Sequence, residues 1–249
     1  MFYRFGQLLG LAWETLLHLP CAWRQRGKIL EQLYEVGASS LFMACILSTF
    51  IGAVLALQSG PVLVDNAAVG AVGGLVGISM AKELSPVMMA FLIAGRSGSA
   101  IAAEIGSMRI SQELDALRTM GIHPIDYLVV PRTLALIIGL PMIVMFSILS
   151  GWLGGALVSM TNPAINVNWP TYFSSIETFV TIDSIKHGLF KSAFFAGIIG
   201  VVSCHQGLKT QGGPRGVGMS VTRAVVYSLV LILISDYFVT RILMTILPE

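Results

Sequence analysis

Apolar residues run along this chain in long blocks separated by short polar joins. The blocks at about 37–60, 67–95, 128–158, 185–204 and 224–247 each supply the roughly 20 apolar residues that a helix needs to cross a hydrocarbon layer. Two are imperfect: Lys82-Glu83 and Pro86 interrupt the second, and Lys186, His187 and Lys191 fall in the first third of the fourth. Ahead of them, Phe5, Leu8, Leu9, Ala12, Trp13, Leu16 and Leu17 recur at helical spacing until Pro20 stops the pattern. A helix of that length is too short to span. With Trp13 and Trp23 as interfacial aromatics and Arg24, Arg26 and Lys28 beyond, it is expected to lie in the headgroup plane. Its polar face is thin, so packing inside the bundle stays open as an alternative.

Composition agrees with lipid as the main solvent. Hydrophobic residues make up 55% of the 249, and only 11% are charged, against about 25% in an ordinary soluble domain. One membrane bundle, without a separate soluble domain, is the expected organisation. The net charge of +2 is spread between the blocks, so there is no footprint for nucleic acid. It speaks to topology instead. With the N-terminus inside, eleven of the fifteen Lys and Arg residues (Arg4, Arg24, Arg26, Lys28, Arg96, Arg109, Arg118, Arg132, Lys209, Arg215 and Arg223) fall on the cytoplasmic side. The expected outer loops, about 61–66 and 159–184, hold no basic residue, which puts the C-terminus outside. A basic n-region and a small-x-small cleavage site are both lacking, so no signal peptide is read. Cys21, Cys45 and Cys204 are too few and too widely spaced for a disulfide framework or a zinc site.

Between the second and third blocks, Arg96 to Arg132 forms the longest polar excursion. Ser111 is placed to cap a helix running to about Met120, Gly121 to stop it and Pro124 to prevent its continuation. Ile110, Leu114 and Leu117 share one face, while Gln112, Glu113, Asp115 and Arg118 take the rest, with Asp115 and Arg118 spaced to pair. Such a helix suits the groove of a soluble partner, or else simply rests on the membrane.

Glu83, Lys191 and Asp236 are ionisable residues at membrane depth, where an uncompensated charge costs about 2.5 to 3.5 kcal/mol on insertion scales. Two acids and one base can compensate each other. Together they form either a substrate-handling polar network or a structural lock. Catalytic readings fail. Gly188-Leu-Phe-Lys191-Ser192 ends like a phosphate loop but lacks the leading glycine at the required spacing, and His18, His123, His187 and His205 have no metal-ligand partners nearby. Neither cofactor, metal nor catalytic residue is expected, and any ATP that drives the protein must bind another chain. Glycine pairs such as Gly70/Gly74, Gly73/Gly77 and Gly151/Gly155 allow close helix approach. One half does not repeat in the other, which weighs against the usual carrier plan.

The stretch Ala94-Gly-Arg-Ser-Gly-Ser-Ala-Ile-Ala-Ala-Glu-Ile-Gly-Ser-Met-Arg109, followed by Gln112-Glu-Leu-Asp-Ala-Leu117 and Val130-Pro-Arg132, resembles the signature of the MlaE/YrbE permease subunit of MCE-associated lipid-transport ABC systems. Gly52-Ala-Val-Leu-Ala-Leu-Gln58, Lys82-Glu-Leu-Ser-Pro86, Leu189-Phe-Lys-Ser192 and Ser235-Asp236 extend the likeness over nearly the whole chain from about residue 30. The resemblance implies an all-α membrane protein of the bacterial inner membrane, a single permease domain over 1–249. Residues 1–35 would be the interfacial region and 36–249 the five-span bundle. It implies a homodimer, cytoplasmic ATPase subunits, a periplasmic MCE-domain partner and a phospholipid or related lipid as substrate. It also implies a coupling helix at about 105–121, with Glu104, Arg109, Ile110, Glu113, Leu114, Leu117 and Arg118 as the coupling residues. Leu55, Leu57, Val62 and Leu63 are candidates to line an outer apolar cavity at the dimer interface, opened by a helix break at Gly60-Pro61. After Gln58 the chain carries Ser59-Gly60-Pro61 where a member of the family carries an aromatic residue near the lipid pocket, which bears on the pocket's shape. Two rivals remain: a secondary carrier or channel with Glu83, Lys191 and Asp236 as an ion or proton relay, and a membrane-embedded lipid enzyme, for which a nucleophile and base are missing.

Overall fold

The computed structural model describes residues 2–17, 26–66 and 68–246, which are helical almost throughout and contain no strand. In chain order the helices are α1 (Phe2–Leu17), α2 (Arg26–Asp65), α3 (Val72–Ile110), α4 (Glu113–Thr119), α5 (Ile125–Thr161), α6 (Trp169–Phe179), α7 (Ile182–Leu208) and α8 (Gly213–Ile246). α2, α3, α5, α7 and α8 are long and apolar enough to cross a membrane. Each runs past its apolar block at one end or both, because a helix continues into the polar layer for as long as nothing stops it. Pro20, Cys21, Trp23 and Arg24 lie outside the described residues.

The chain folds into two compact units, each assembled from three separate stretches of sequence. The first comprises Met1–Ser39, Ala90–Leu140 and Ala193–Phe238. Here α7 turns small residues towards α3 and α5. Gly207 lies against Ile105 and the carbonyl of Ala102, Gly200 against Thr133, and Gly98 of α3 against Ser203 and Ile199. Lipid tails are as apolar as these side chains, so close backbone approach and dense contact hold such helices together rather than hydrophobic transfer. In α1, Leu11 and Thr15 are buried while Trp13 is exposed, and α1 packs on the first turn of α5. Gln7 of α1 accepts a hydrogen bond from Lys209.

The second unit comprises Ser40–Met89, Pro141–Ser192 and Val239–Glu249. Its core gathers Ala56, Val72, Val76, Met80, Ala156, Ile165, Tyr172 and Ile176. Gly52 and Gly154 bring α2 and α5 into backbone contact, at the carbonyls of Gly151 and Thr49, and Ser48 and Ser147 share a hydrogen bond of 2.5 Å across the same seam. α6 occupies what the hydropathy pattern leaves as an outer loop. Pro170 sits in its first turn, and Tyr172, Ser175 and Ile176 face α3, where the Ser175 hydroxyl accepts from the Gly74 amide at 2.9 Å. Tyr172 is fully buried, and burial pushes its phenol well above the usual tyrosine range.

The expected break at Gly60-Pro61 is absent, since α2 runs through both to Asp65. Pro61 is exposed, and Gly60 lies against the Ile165 side chain, where any larger residue would collide. Packing around the missing N–H keeps such a helix intact. Lys82-Glu83 and Pro86 do not interrupt α3 either. The helix widens instead into π-helical turns at Met80–Leu84 and Ala94–Gly98.

Candidate functional site

Pro86 has no N–H, so the carbonyl four residues earlier, that of Lys82, loses its ordinary α-helical donor. The π turn is the local response: the amide of Ser85 bonds to Met80, five residues back, and the segment bulges. α7 supplies what is missing. Lys191 donates to the Lys82 carbonyl at 3.4 Å and to Oε2 of Glu83 at 2.5 Å. Gly188, three residues before Lys191 and so on the same side of α7, lies directly against the carbonyl of Ala81. The absence of a side chain there lets α7 come close enough for Lys191 to reach.

The pair is unequal. Lys191 is 1% exposed and Glu83 42%. Thr240 of α8 donates to the other carboxylate oxygen, Oε1, at 3.4 Å. His187, one turn before Lys191, is also buried, and its Nε2 has no hydrogen-bond partner among the described residues. Three helices of the second unit therefore meet around one carboxylate. The structure brings Glu83 and Lys191 together. Asp236 lies on α8, in the stretch counted with the first unit. Thr240 is an addition that the sequence did not single out, and Gly188, met there only in the rejected phosphate-loop reading, takes a packing role. The glycine at helical spacing before a buried lysine was the available signal.

The second surface belongs to the first unit. The helix after α3 is shorter than the expected 105–121: residues 105–110 still belong to α3, and α4 begins only at Glu113. Ser111 does not cap it. Its hydroxyl donates back to Ser107, and Gln112 makes the corner in a left-handed conformation at φ 60°. Gly121, at φ +75°, ends the helix as expected, with Gly121 N–H bonded to the Arg118 carbonyl and Ile122 N–H to Leu117. Leu114 is buried in its own unit and Leu117 half-buried, so the apolar face of α4 is already occupied. What α4 shows outward is Glu113, Asp115, Ala116, Arg118, Thr119 and Met120. Ile110, at the end of α3, is half-buried.

Two sets of ion pairs frame this element. Asp115 accepts from Arg109 at 3.0 Å and Arg118 at 3.4 Å, all three on the surface. Glu104 and Arg132 form a 2.6 Å bridge in which Arg132 is 6% exposed. That bridge joins the end of α3 to the start of α5 across the base of the excursion. Beside α4 lies a cavity of about 510 Å³, whose walls include Glu14 of α1, Arg109, Leu114, Arg118, His123 and Leu208.

The family described as Permease MlaE matches residues 29–242. The chain belongs to the MlaE permease family. This permease is 40% identical over 240 residues to the probable ABC transporter permease protein slr1045 of Synechocystis, covering 96% of this chain and 90% of that one. It is 39% identical over 215 residues to the probable ABC transporter permease protein RT0041 of Rickettsia typhi, covering 86% and 82%. A third relative is the chloroplastic protein TRIGALACTOSYLDIACYLGLYCEROL 1 of Arabidopsis thaliana, 37% identical over 217 residues, or 85% of this chain and 61% of that one. The permease is thus a multi-pass membrane subunit of the ABC transporter class. Among the described residues, His, Cys, Asp and Glu form no group able to hold a metal ion.

Proposed function

We propose that this permease moves a phospholipid or related lipid between the bacterial inner membrane and a periplasmic MCE-domain protein, as a homodimer driven by separate ATPase subunits. Its N-terminus is cytoplasmic and its C-terminus periplasmic, as the distribution of Lys and Arg favours. The observation that carries the reading is α4. A short helix anchored inward by Leu114 and offering Glu113, Ala116 and Met120 outward suits a soluble partner, such as an ATPase, better than lipid. Lipid as cargo is supported by the relative named for trigalactosyldiacylglycerol. The test is purification from membranes in mild detergent, identification of co-purifying proteins and bound lipid by mass spectrometry, and reconstitution into vesicles. ATP-dependent lipid transfer with an ATPase in the complex is expected. Proton- or ion-driven transport by the permease alone would instead establish the carrier reading, with Glu83, Lys191 and Asp236 as relay.

A further inference from the structure

The Glu83 and Lys191 pair is built so that only one of its two charges faces outward. Lys191 is 1% exposed and spends its ammonium on Glu83 Oε2 and on the Lys82 carbonyl that Pro86 orphans, so a phosphate has no access to it. Glu83 is 42% exposed, and of its two oxygens Oε2 meets Lys191 while Oε1, among the described residues, receives a 3.4 Å bond from Thr240. A carboxylate has about four acceptor positions, so part of that capacity remains open on the exposed side. An acceptor at membrane depth is satisfied by a donor and repels a second anion. The π turn of α3 and the contact of Gly188 with Ala81 hold the carboxylate in place beforehand.

We propose that the open edge of the Glu83 carboxylate is a head-group site, selecting lipids whose head group donates hydrogen bonds, through an N–H ammonium or sugar hydroxyls, over lipids that present only acceptors. The inference rests on the reading of the protein as a lipid permease and adds the class of lipid. A hydrogen bond to a charged acceptor is worth on the order of ten-fold or more in selection.

The experiment uses the whole transporter complex in vesicles doped with lipids of identical acyl chains and different heads. The heads are phosphatidylethanolamine, its N,N-dimethyl derivative, phosphatidylcholine, monogalactosyl diacylglycerol and phosphatidic acid. If an ammonium is the donor, the first two are carried about ten-fold faster than phosphatidylcholine, which has the charge but no N–H. If sugar hydroxyls are the donors, the galactolipid leads by a similar margin. Glu83→Gln lowers either preference towards unity. If that variant does not assemble, the wild-type series alone decides. Phosphatidylcholine or phosphatidic acid carried as fast as the best donor head group overturns the inference while leaving lipid transport standing. A complex that moves no lipid at all, with every subunit present and ATP hydrolysed, refutes the transporter reading and this inference with it.

Discussion

Gly188 of α7 rests on the carbonyl oxygen of Ala81 in α3, with no room for a methyl group between them. The contact falls at the π turn and fixes how closely α7 approaches the orphaned carbonyl of Lys82. Gly188→Ala must therefore push two backbones apart. We expect a loss of about 1 to 3 kcal/mol, typical of overpacking, and a separation of Lys191 from Glu83. Thermal unfolding of the purified variant in detergent checks the first, and lipid transfer the second. An unchanged melting temperature would show that the helices are not in contact there.

Removing one member of the Glu83 and Lys191 pair leaves a charge uncompensated at membrane depth. Glu83→Gln and Lys191→Met should each cost roughly 3 to 5 kcal/mol, nearer the low end for Lys191→Met because Glu83 is partly exposed. The double variant should recover most of that loss, a non-additivity that a double-mutant cycle measures directly. Asp236→Asn extends the cycle. Coupling to either partner would place Asp236 in the same network, whereas strict additivity would make it independent. Restored stability with transport still absent separates substrate handling from a structural lock.

For α4, the burial of Leu114 decides which substitutions are informative. Leu114→Asp puts a charge into the first unit's interior and should prevent folding. Ala116→Asp and Met120→Asp change exposed positions and should cost under about 0.5 kcal/mol. In the proposed complex these two should abolish recovery of the ATPase in a pull-down. Undiminished recovery from the double variant would remove α4 from the interface.

The two sets of ion pairs near α4 differ in depth, and so in worth. Glu104→Gln strands the buried Arg132 and should cost about 3 kcal/mol. Asp115→Asn touches only the exposed bridges to Arg109 and Arg118 and should cost about 1 kcal/mol or less, shrinking in high salt. Melting temperatures of the two variants at low and high ionic strength test the contrast.

Leu57 and Val62 are exposed, while Leu55 and Leu63 pack on the core of the second unit, so the four cavity candidates do not share one face. Photocrosslinkers at positions 57 and 62 should capture lipid or a second copy of the chain, and those at 55 and 63 neither. Efficient lipid capture from 55 or 63 would mean that the inner face opens.

Apolar block length by itself fixed the five spanning helices, because the energy of leaving backbone polar groups unpaired in lipid allows little else. The motif from Ala94 to Arg132 was legible too, as was the stop at Gly121, where a left-handed residue is needed. Tertiary structure decided the rest. Whether Pro61 and Pro86 end a helix or are absorbed depends on what packs beside them: Ile165 beside Gly60, and Lys191 on the carbonyl that Pro86 orphans. Which way α4 turns its leucines depends on what its own unit packs against it, and the meeting of Glu83 with Lys191 joins residues 108 positions apart. α6 escaped notice because an 11-residue helix that does not span takes its stability from packing against α3 rather than from its own pattern.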